Sequence, residues 1–418
     1  MTFWQDARPL PARSRRTRRR RRGRVVAVAA FAATAVGLTT AVPEVRTRLG
    51  GVAGGERAAR PAAAPRATDR GAAEDVRLRP RWRATMASQP RAVVADELGV
   101  LATGVNEVVA VDLRSGRRLW NAPLRGGVGY LAADEESVVV ATEEAFVVLE
   151  RRSGERRFEV PTPDEPGPVG ILRPRAGPAM LVVTTQQGGV AGLDPATGAA
   201  AWSLRPGGEL RGIPAIDDTT ATLAAVFEGV DTTRLVVVDL RLGRVRWEER
   251  VAPWASSPLI DGDRVVLGAG DGRRHATMQA FDLADGTPRW RVRTDASFQA
   301  DIVPTATGGK VYALDQLGTL VALDARRGTR LWRVRLGDAV LGGRPVVVGA
   351  TVLVTGFSDL LTALSRTDGR VLARWRTSGL PVGLVAVGET VVLAQRLVAG
   401  DHLGAFRVVT PPGAPTGF

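Results

Sequence analysis

Side chains suited to chemistry are scarce in this chain. Cysteine is absent and histidine occurs only at His275 and His402. Thiol nucleophiles, thiolate metal sites, disulfides and lipid attachment through an N-terminal cysteine are therefore excluded, and two imidazoles are too few for a histidine-rich metal centre. Carboxylates remain. Asp261-Gly262-Asp263 begins like a calcium loop, but Val265 and Gly272 stand where a third acid and a closing glutamate belong, so the segment reads as a hairpin turn. Gly268-Ala269-Gly270-Asp271-Gly272 has a single acid and reads the same way. His275 follows Arg273 and Arg274, and His402 follows Asp401; both read as loop positions without a nucleophile-base-orienter spacing. Glycine pairs elsewhere lack the strand-to-helix context of a phosphate loop. No catalytic, cofactor-binding or metal-ligating residue is assigned, and no cofactor is expected.

What does recur with fixed spacing is mechanical. In Val109-Ala110-Val111-Asp112-Leu113-Arg114-Ser115-Gly116-Arg117-Arg118-Leu119-Trp120, an acid is followed by glycine four residues later and an aromatic eight residues later. The pattern returns at Glu150, Gly154, Phe158; at Asp194, Gly198, Trp202; at Asp239, Gly243, Trp247; at Asp282, Gly286, Trp290; and at Asp324, Gly328, Trp332. A decayed copy has Ser365, Gly369 and Ala373, with Trp375 displaced by two. Successive steps of 38, 44, 45, 43, 42 and 41 residues match the length of a four-stranded propeller blade. Alternation such as Val109/Val111 against Ala110 has the strand period of two. The acid accepts turn N–H groups, the glycine tolerates positive φ, and the aromatic falls on the outer strand, placed to wedge against a neighbouring blade.

The ends of the repeat region predict how the ring closes. Trp82 and Asp96 recur 38 residues later as Trp120 and Asp134, which makes Trp82 an outer-strand aromatic lacking its own inner strands. Leu384–Val387, Val391–Ala394 and Ala405–Val409 supply three strands lacking an outer one. Together they complete an eighth blade, with seven blades as the alternative, and joining the two chain ends removes exposed strand edges. The fold class is all-β.

Ahead of the repeats, ten arginines and one acid between Met1 and Arg24 carry most of the +14 net charge. The body from residue 75 onward is nearly neutral, which argues against a nucleic-acid binder. Val25 to Val42 is eighteen uncharged residues, just long enough to cross a hydrocarbon core of about 30 Å. The arginine block places its own side in the cytoplasm and the body outside. The organisation read from this is a cytoplasmic tail at 1–24, a single transmembrane helix at 25–42, an Ala/Pro/Gly-rich disordered linker at 43–74, the propeller at 75–412 and a tail at 413–418. A cleaved signal peptide, leaving a secreted protein, is the alternative topology.

The Ala-x-Asp-x-x-x-Gly-x-x-x-Trp pattern in Ala110/Asp112/Gly116/Trp120, Ala280/Asp282/Gly286/Trp290 and Ala322/Asp324/Gly328/Trp332 resembles the quinoprotein-like (PQQ-like) propeller repeat, over roughly residues 78–410. One branch of that family contains dehydrogenases that use pyrroloquinoline quinone. The other is non-enzymatic and includes the propeller lipoprotein of outer-membrane β-barrel assembly. The enzyme branch typically has an adjacent cysteine pair and longer insertions, and a metal-bound quinone needs carboxylates with amides. This chain has no cysteine, and Asn106 and Asn121 are its only asparagines. The resemblance therefore implies a non-catalytic scaffold binding envelope proteins, with a ligand sensor and a quinone-dependent oxidoreductase as the other classes. A membrane span stands in place of the family lipoprotein's anchoring cysteine. Arginine numbers 56 against one lysine, Lys310, as in proteins of GC-rich bacteria.

One aromatic stands outside the repeat. Trp254, in Pro253-Trp254-Ala255-Ser256-Ser257-Pro258, lies near the start of a blade. There it either packs or presents an exposed aromatic to a partner. Arg211, Gln299 and Arg344 fall at comparable positions, suited to the mouth of a central channel.

Sequencing the N-terminus of the protein recovered from membranes tests the topology. The expected result is a chain that still contains residues ahead of Val25; a mature chain beginning near Val42 would establish signal cleavage instead.

Overall fold

The computed structural model describes residues 76–409, apart from 163, 175–176, 273–275, 295–297, 301, 338–342, 357–358 and 397–401. The expected helix at 25–42, the linker and the C-terminal tail lie outside the described residues. Among the described residues no helix is long and apolar enough to cross a membrane.

Every regular element among them is a β-strand. The strands form eight antiparallel sheets, each a meander numbered here by its innermost strand: Ala92–Asp96, Tyr130–Ala133, Pro166–Leu172, Glu209–Asp217, Trp254–Ala255, Thr305–Thr307, Val346–Val348 and Leu380–Val387. In the fifth blade that strand is split, Trp254–Ala255 and Leu259–Asp261 pairing separately with Arg264–Gly270. Innermost strands of consecutive blades abut around the ring. The sixth and seventh are joined by a parallel bridge between Ile302 and Gly343 and by the Thr305 hydroxyl, which donates to the Pro345 carbonyl at 2.6 Å. The first blade shows the burial logic. Gly99–Thr103 and Glu107–Val111 are buried throughout, because each face packs on a neighbouring blade, while the outermost Arg118–Pro123 alternates exposed and buried residues.

The eighth blade is the closure. Its innermost three strands are Leu380–Val387, Thr390–Arg396 and His402–Val409, and its outermost is the first strand of the chain, Arg77–Thr85, in register from Arg77 opposite Val409 to Thr85 opposite His402. The eight-bladed reading and its shared blade are therefore what the fold contains.

Blade-to-blade cohesion on the outer side has one recurring form. The ring of Trp82 lies over Gly116 of the first blade, Trp120 over Gly154, Phe158 over Gly198, Trp202 over Gly243, Trp247 over Gly286, Trp290 over Gly328 and Trp332 over Gly369. Each of these glycines has φ between +60° and +79°. A methyl carbon at Gly328 would sit 2.6 Å from Trp290 Cδ2, so the position excludes a side chain on steric and conformational grounds together. Six of the seven aromatics are indoles, and each donates its N–H to the carbonyl of the residue after the acid, or after Ser365 where the acid is replaced: Trp82 to Leu113, Trp120 to Arg151, Trp202 to Leu240, Trp247 to Leu283, Trp290 to Ala325 and Trp332 to Arg366, at 2.8–3.2 Å. Phe158 has no N–H to donate. A register shift recurs where the outermost strand pairs with its neighbour, as between Ala322 and Leu323, with Trp332 opposite Ala322. That bulge aims the aromatic at the next blade.

In the seventh blade Ala373 occupies the aromatic's position, opposite Ala363. Trp375 is buried among Leu384, Phe406 and Val408 of the eighth blade. The closing blade takes its outer strand from the other end of the chain and has no Asp-x-x-x-Gly turn to receive an indole.

The acids act within their own turns. Asp112 accepts the Ser115 hydroxyl and amide at 2.6 and 2.7 Å, which hold it below its ordinary value of 3.8. Asp194 is lowered by the amides of Thr197 and Ala196, Asp282 by the Ala284 amide and by Arg289, and Glu150 by Ser153. Asp239 and Asp324 accept equivalent amides from Leu242 and Arg327. At the decayed repeat Ser365 accepts the Thr367 amide at 3.3 Å and is hydrogen-bonded to Asp368, whose pKa that contact and the Arg370 amide lower.

Two outcomes follow. Gly328→Ala is expected to destabilise the ring by about 2–4 kcal/mol through left-handed strain and the clash with Trp290, whereas Trp290→Phe, which keeps the ring and deletes its N–H, costs about 1 kcal/mol; denaturant titration of both variants checks the order. Because Asp112, Glu150, Asp194 and Asp282 are depressed in the folded chain, their contribution is full above the unfolded value and is lost as pH falls below it. The melting midpoint should hold from neutral pH to about pH 5 and decline below about pH 4, and a midpoint unchanged down to about pH 3 would contradict the turn assignment.

Candidate functional site

In a four-stranded meander whose innermost strand runs away from one axial end, the turn between the second and third strands and the connector to the next blade both lie at that end. The residues found there differ in character from the repeat motif. Trp254 is the first residue of the fifth blade's split strand, paired with Gly270, and is 46% exposed. Its indole lies against Gly272, in the turn after Arg264–Gly270. Of the two readings of Trp254, packing or exposure, the structure gives an accessible ring backed by one glycine.

Two further exposed apolar side chains belong to turns at this end, and a third, Ile213, lies midway along the neighbouring innermost strand. Ile213, 44% exposed, lies in the bulge of the fourth blade's innermost strand, between Arg211 and Ala215. Its N–H donates to the Ser257 hydroxyl at 2.8 Å, and that hydroxyl donates to the Ala300 carbonyl at 2.6 Å. Fourth, fifth and sixth blades are thus pinned together three residues from Trp254. Val230 occupies the fourth blade's turn between Thr222–Glu228 and Thr233–Asp239 and is fully exposed, and Leu317 occupies the matching turn of the sixth. Neither turn residue nor Ile213 was legible as a surface feature, since strand alternation assigns no exposure to turns or bulges. An apolar residue inside the turn sequence Gly229-Val230-Asp231 is the signal that points to it.

The channel-mouth expectation resolves unevenly. Arg211 is neutralised by Glu228, with Glu209 at 4.0 Å. Gln299 is half-buried, its carbonyl accepting the Ile302 amide. Arg344 is accessible, its Nε donating to the Thr305 hydroxyl at 3.2 Å, and desolvation pushes its pKa down. That combination fits a side chain in a solvated recess walled by protein. A separate concavity of about 530 Å³, lined by Thr232, Arg234, Glu248, Glu249 and Arg250, is charge-paired by Arg234 with Glu248 and presents no apolar wall.

Among the described residues no three His, Asp or Glu side chains converge on one point. Asp261 and Gly262 form the hairpin into Arg264–Gly270, and Asp263 is engaged by Arg264 and Arg289. His275 and the His402 side chain lie outside the description.

Comparison with known proteins is consistent with this architecture. A family model described as outer membrane protein assembly factor BamB matches residues 77–226 and 186–399. The BamB of Nitrosomonas eutropha is 32% identical over 139 residues, 31% of this chain and 34% of that protein, and the BamB of Burkholderia pseudomallei is 25% identical over 240 residues, 53% and 60% of the two chains. The serine/threonine-protein kinase AfsK of Streptomyces griseus is 28% identical over 203 residues, 45% of this chain but 24% of the kinase. The matched segments thus span about a quarter to three fifths of these relatives. Among solved structures, BamB from Moraxella catarrhalis superposes with a TM-score of 0.62 at 19% identity, covering 79% of this chain and 97% of that one. A europium-containing methanol dehydrogenase gives 0.62 at 12% identity, covering 80% and 93%. Both likenesses concern the fold.

Proposed function

The chain belongs to the PQQ-like repeat family described as outer membrane protein assembly factor BamB, and on that premise we propose that it is a non-catalytic protein-binding scaffold of the bacterial cell envelope. In this reading residues 25–42 hold it in the plasma membrane with 1–24 in the cytoplasm, 43–74 form the tether, and the propeller at 75–412 works outside the cell's interior. Its partners are envelope proteins, bound without a cofactor. The observation that carries the reading is Trp254, accessible at the axial end where the exposed turn residues Val230 and Leu317 also lie. Aromatics backed by rigid scaffold supply much of the energy of protein interfaces. The bulged strands that hold Ile213 and Trp254 are locked to one another through Ser257, so little ordering is needed on binding.

A second reading, a ligand-sensing propeller, draws on Arg344, whose accessible guanidinium beside the Thr305 hydroxyl suits an anionic small molecule. Quinone-dependent oxidation has no comparable support in the side chains present.

Proximity labelling in intact cells, run with the parent chain and with Trp254→Ala, separates these readings. The scaffold predicts a small set of specific neighbours whose labelling falls at least tenfold in the variant, in line with loss of about 2 kcal/mol at a hot spot, while the melting midpoint stays unchanged. Recovery of bulk envelope proteins alone, or of the same neighbours equally from the variant, overturns the reading.

A further inference from the structure

The outermost strands divide the ring into two unlike halves. In the consecutive blades five to eight, Pro288–Thr294, Arg330–Arg335, Val371–Arg376 and Arg77–Thr85 carry twelve arginines and no acid. The corresponding strands of blades one to four, Arg118–Pro123, Arg156–Pro161, Ala200–Leu204 and Arg244–Val251, carry six arginines and three glutamates. Since the body is nearly neutral overall, this is a matter of placement. Ten of the twelve arginines are exposed. Arg289 is neutralised by Asp282 and Asp263 and Arg376 by Asp359. Arg81, Arg83 and Arg291 donate to the hydroxyls of Thr390, Ser378 and Thr277, neutral partners that orient the side chains.

We propose that the arginine-rich rim of blades five to eight docks on the anionic lipid surface of the membrane that holds the chain, so that the propeller stands on its edge with its axial faces parallel to the membrane normal. The inference rests on the tethered reading above. What selects a bilayer among anionic surfaces is chain connectivity: Arg77–Thr85, the most arginine-rich of these strands, is the outer edge of the eighth blade and the first strand after the tether. In the tethered reading the chain enters the ring through this strand, so the arginine-rich half is the side of the propeller attached to the membrane. Clustered arginines on such an edge gain from the negative surface potential within a Debye length of it. An edge-on stance leaves the Trp254 face open to a partner from the side.

Because the chain has no cysteine, single cysteines report position cleanly. Leu331, exposed on the sixth blade's rim, and Ala201, exposed at the corresponding place in the third, are each replaced by cysteine in the full chain and labelled with a fluorophore. The chain is reconstituted in phosphatidylcholine vesicles with or without roughly 30% phosphatidylglycerol, with nitroxide head-group quencher. The expected result is quenching at 331 several-fold stronger in the anionic vesicles, abolished by about 0.5 M salt and by Arg330→Glu with Arg335→Glu, with the label at 201 unaffected. Equal behaviour of the two labels, or no dependence on anionic lipid, overturns the proposal; so does release of the rim by duplex DNA below charge equivalence with the lipid, which would mark a nucleic-acid surface. Sedimentation with pure phosphatidylcholine vesicles in high salt reads the anchor separately: its failure overturns the tether and leaves the rim's response to anionic vesicles to stand or fall alone.

Discussion

An indole laid flat across a glycine of the next blade is the contact on which the ring depends. Each sheet is apolar on both faces and has no stable existence unless both are covered, so the blades stabilise one another or not at all. Apolar packing between inner strands is non-directional and permits sliding. The Trp–Gly contact is directional: the ring fits only where no Cβ projects, and its N–H reaches only the carbonyl one residue past the acid, as Trp247 does with Leu283. Repeated around the circle, that pair fixes the angular step between blades and keeps the inner strands in register with the axis.

This explains how the two weak points are tolerated. Phe158 keeps the ring over Gly198 but forgoes the hydrogen bond, and the second and third blades are held as well by Arg173 on Asp134 and Glu136 and by the Gln186 amide donating to the Tyr130 hydroxyl. At the seventh-to-eighth junction the form changes altogether, with Trp375 driven into a shared apolar cluster with Leu384 and Phe406. There the covalent path of the chain is no longer a constraint between outer strands, and the cluster takes over from the turn.

Much of this architecture was legible in the residues because its determinants are local. Acid, glycine and aromatic lie within one hairpin at fixed offsets, and their period sets the blade count. The pairing of each aromatic with the following blade's glycine was not readable, since Trp82 and Gly116 or Trp290 and Gly328 meet only once the sheets are stacked. For the candidate face the division is similar. Trp254 stood out as an aromatic off the repeat, whereas Ile213 and Leu317 owe their exposure to a bulge and a turn whose geometry depends on neighbouring blades. The charge division of the rim was hidden for the opposite reason: the arginines are visible one strand at a time, but their contiguity across blades five to eight requires knowing that the first strand sits beside the seventh blade.

The blade shared by the two ends of the chain also dictates an order of assembly. Arg77 cannot meet Val409 until the whole length between them has been synthesised and delivered, and bringing such distant segments together carries the largest loop-closure entropy in the molecule. The first strand therefore has no partner of its own until the last one is made. Its four arginines and its proline at position 80 are the features that keep a waiting edge from pairing with the wrong strand. A chain cut short anywhere before its last strand never completes the circle. It is left with an open seam of unpaired strand edges between the first blade and the last.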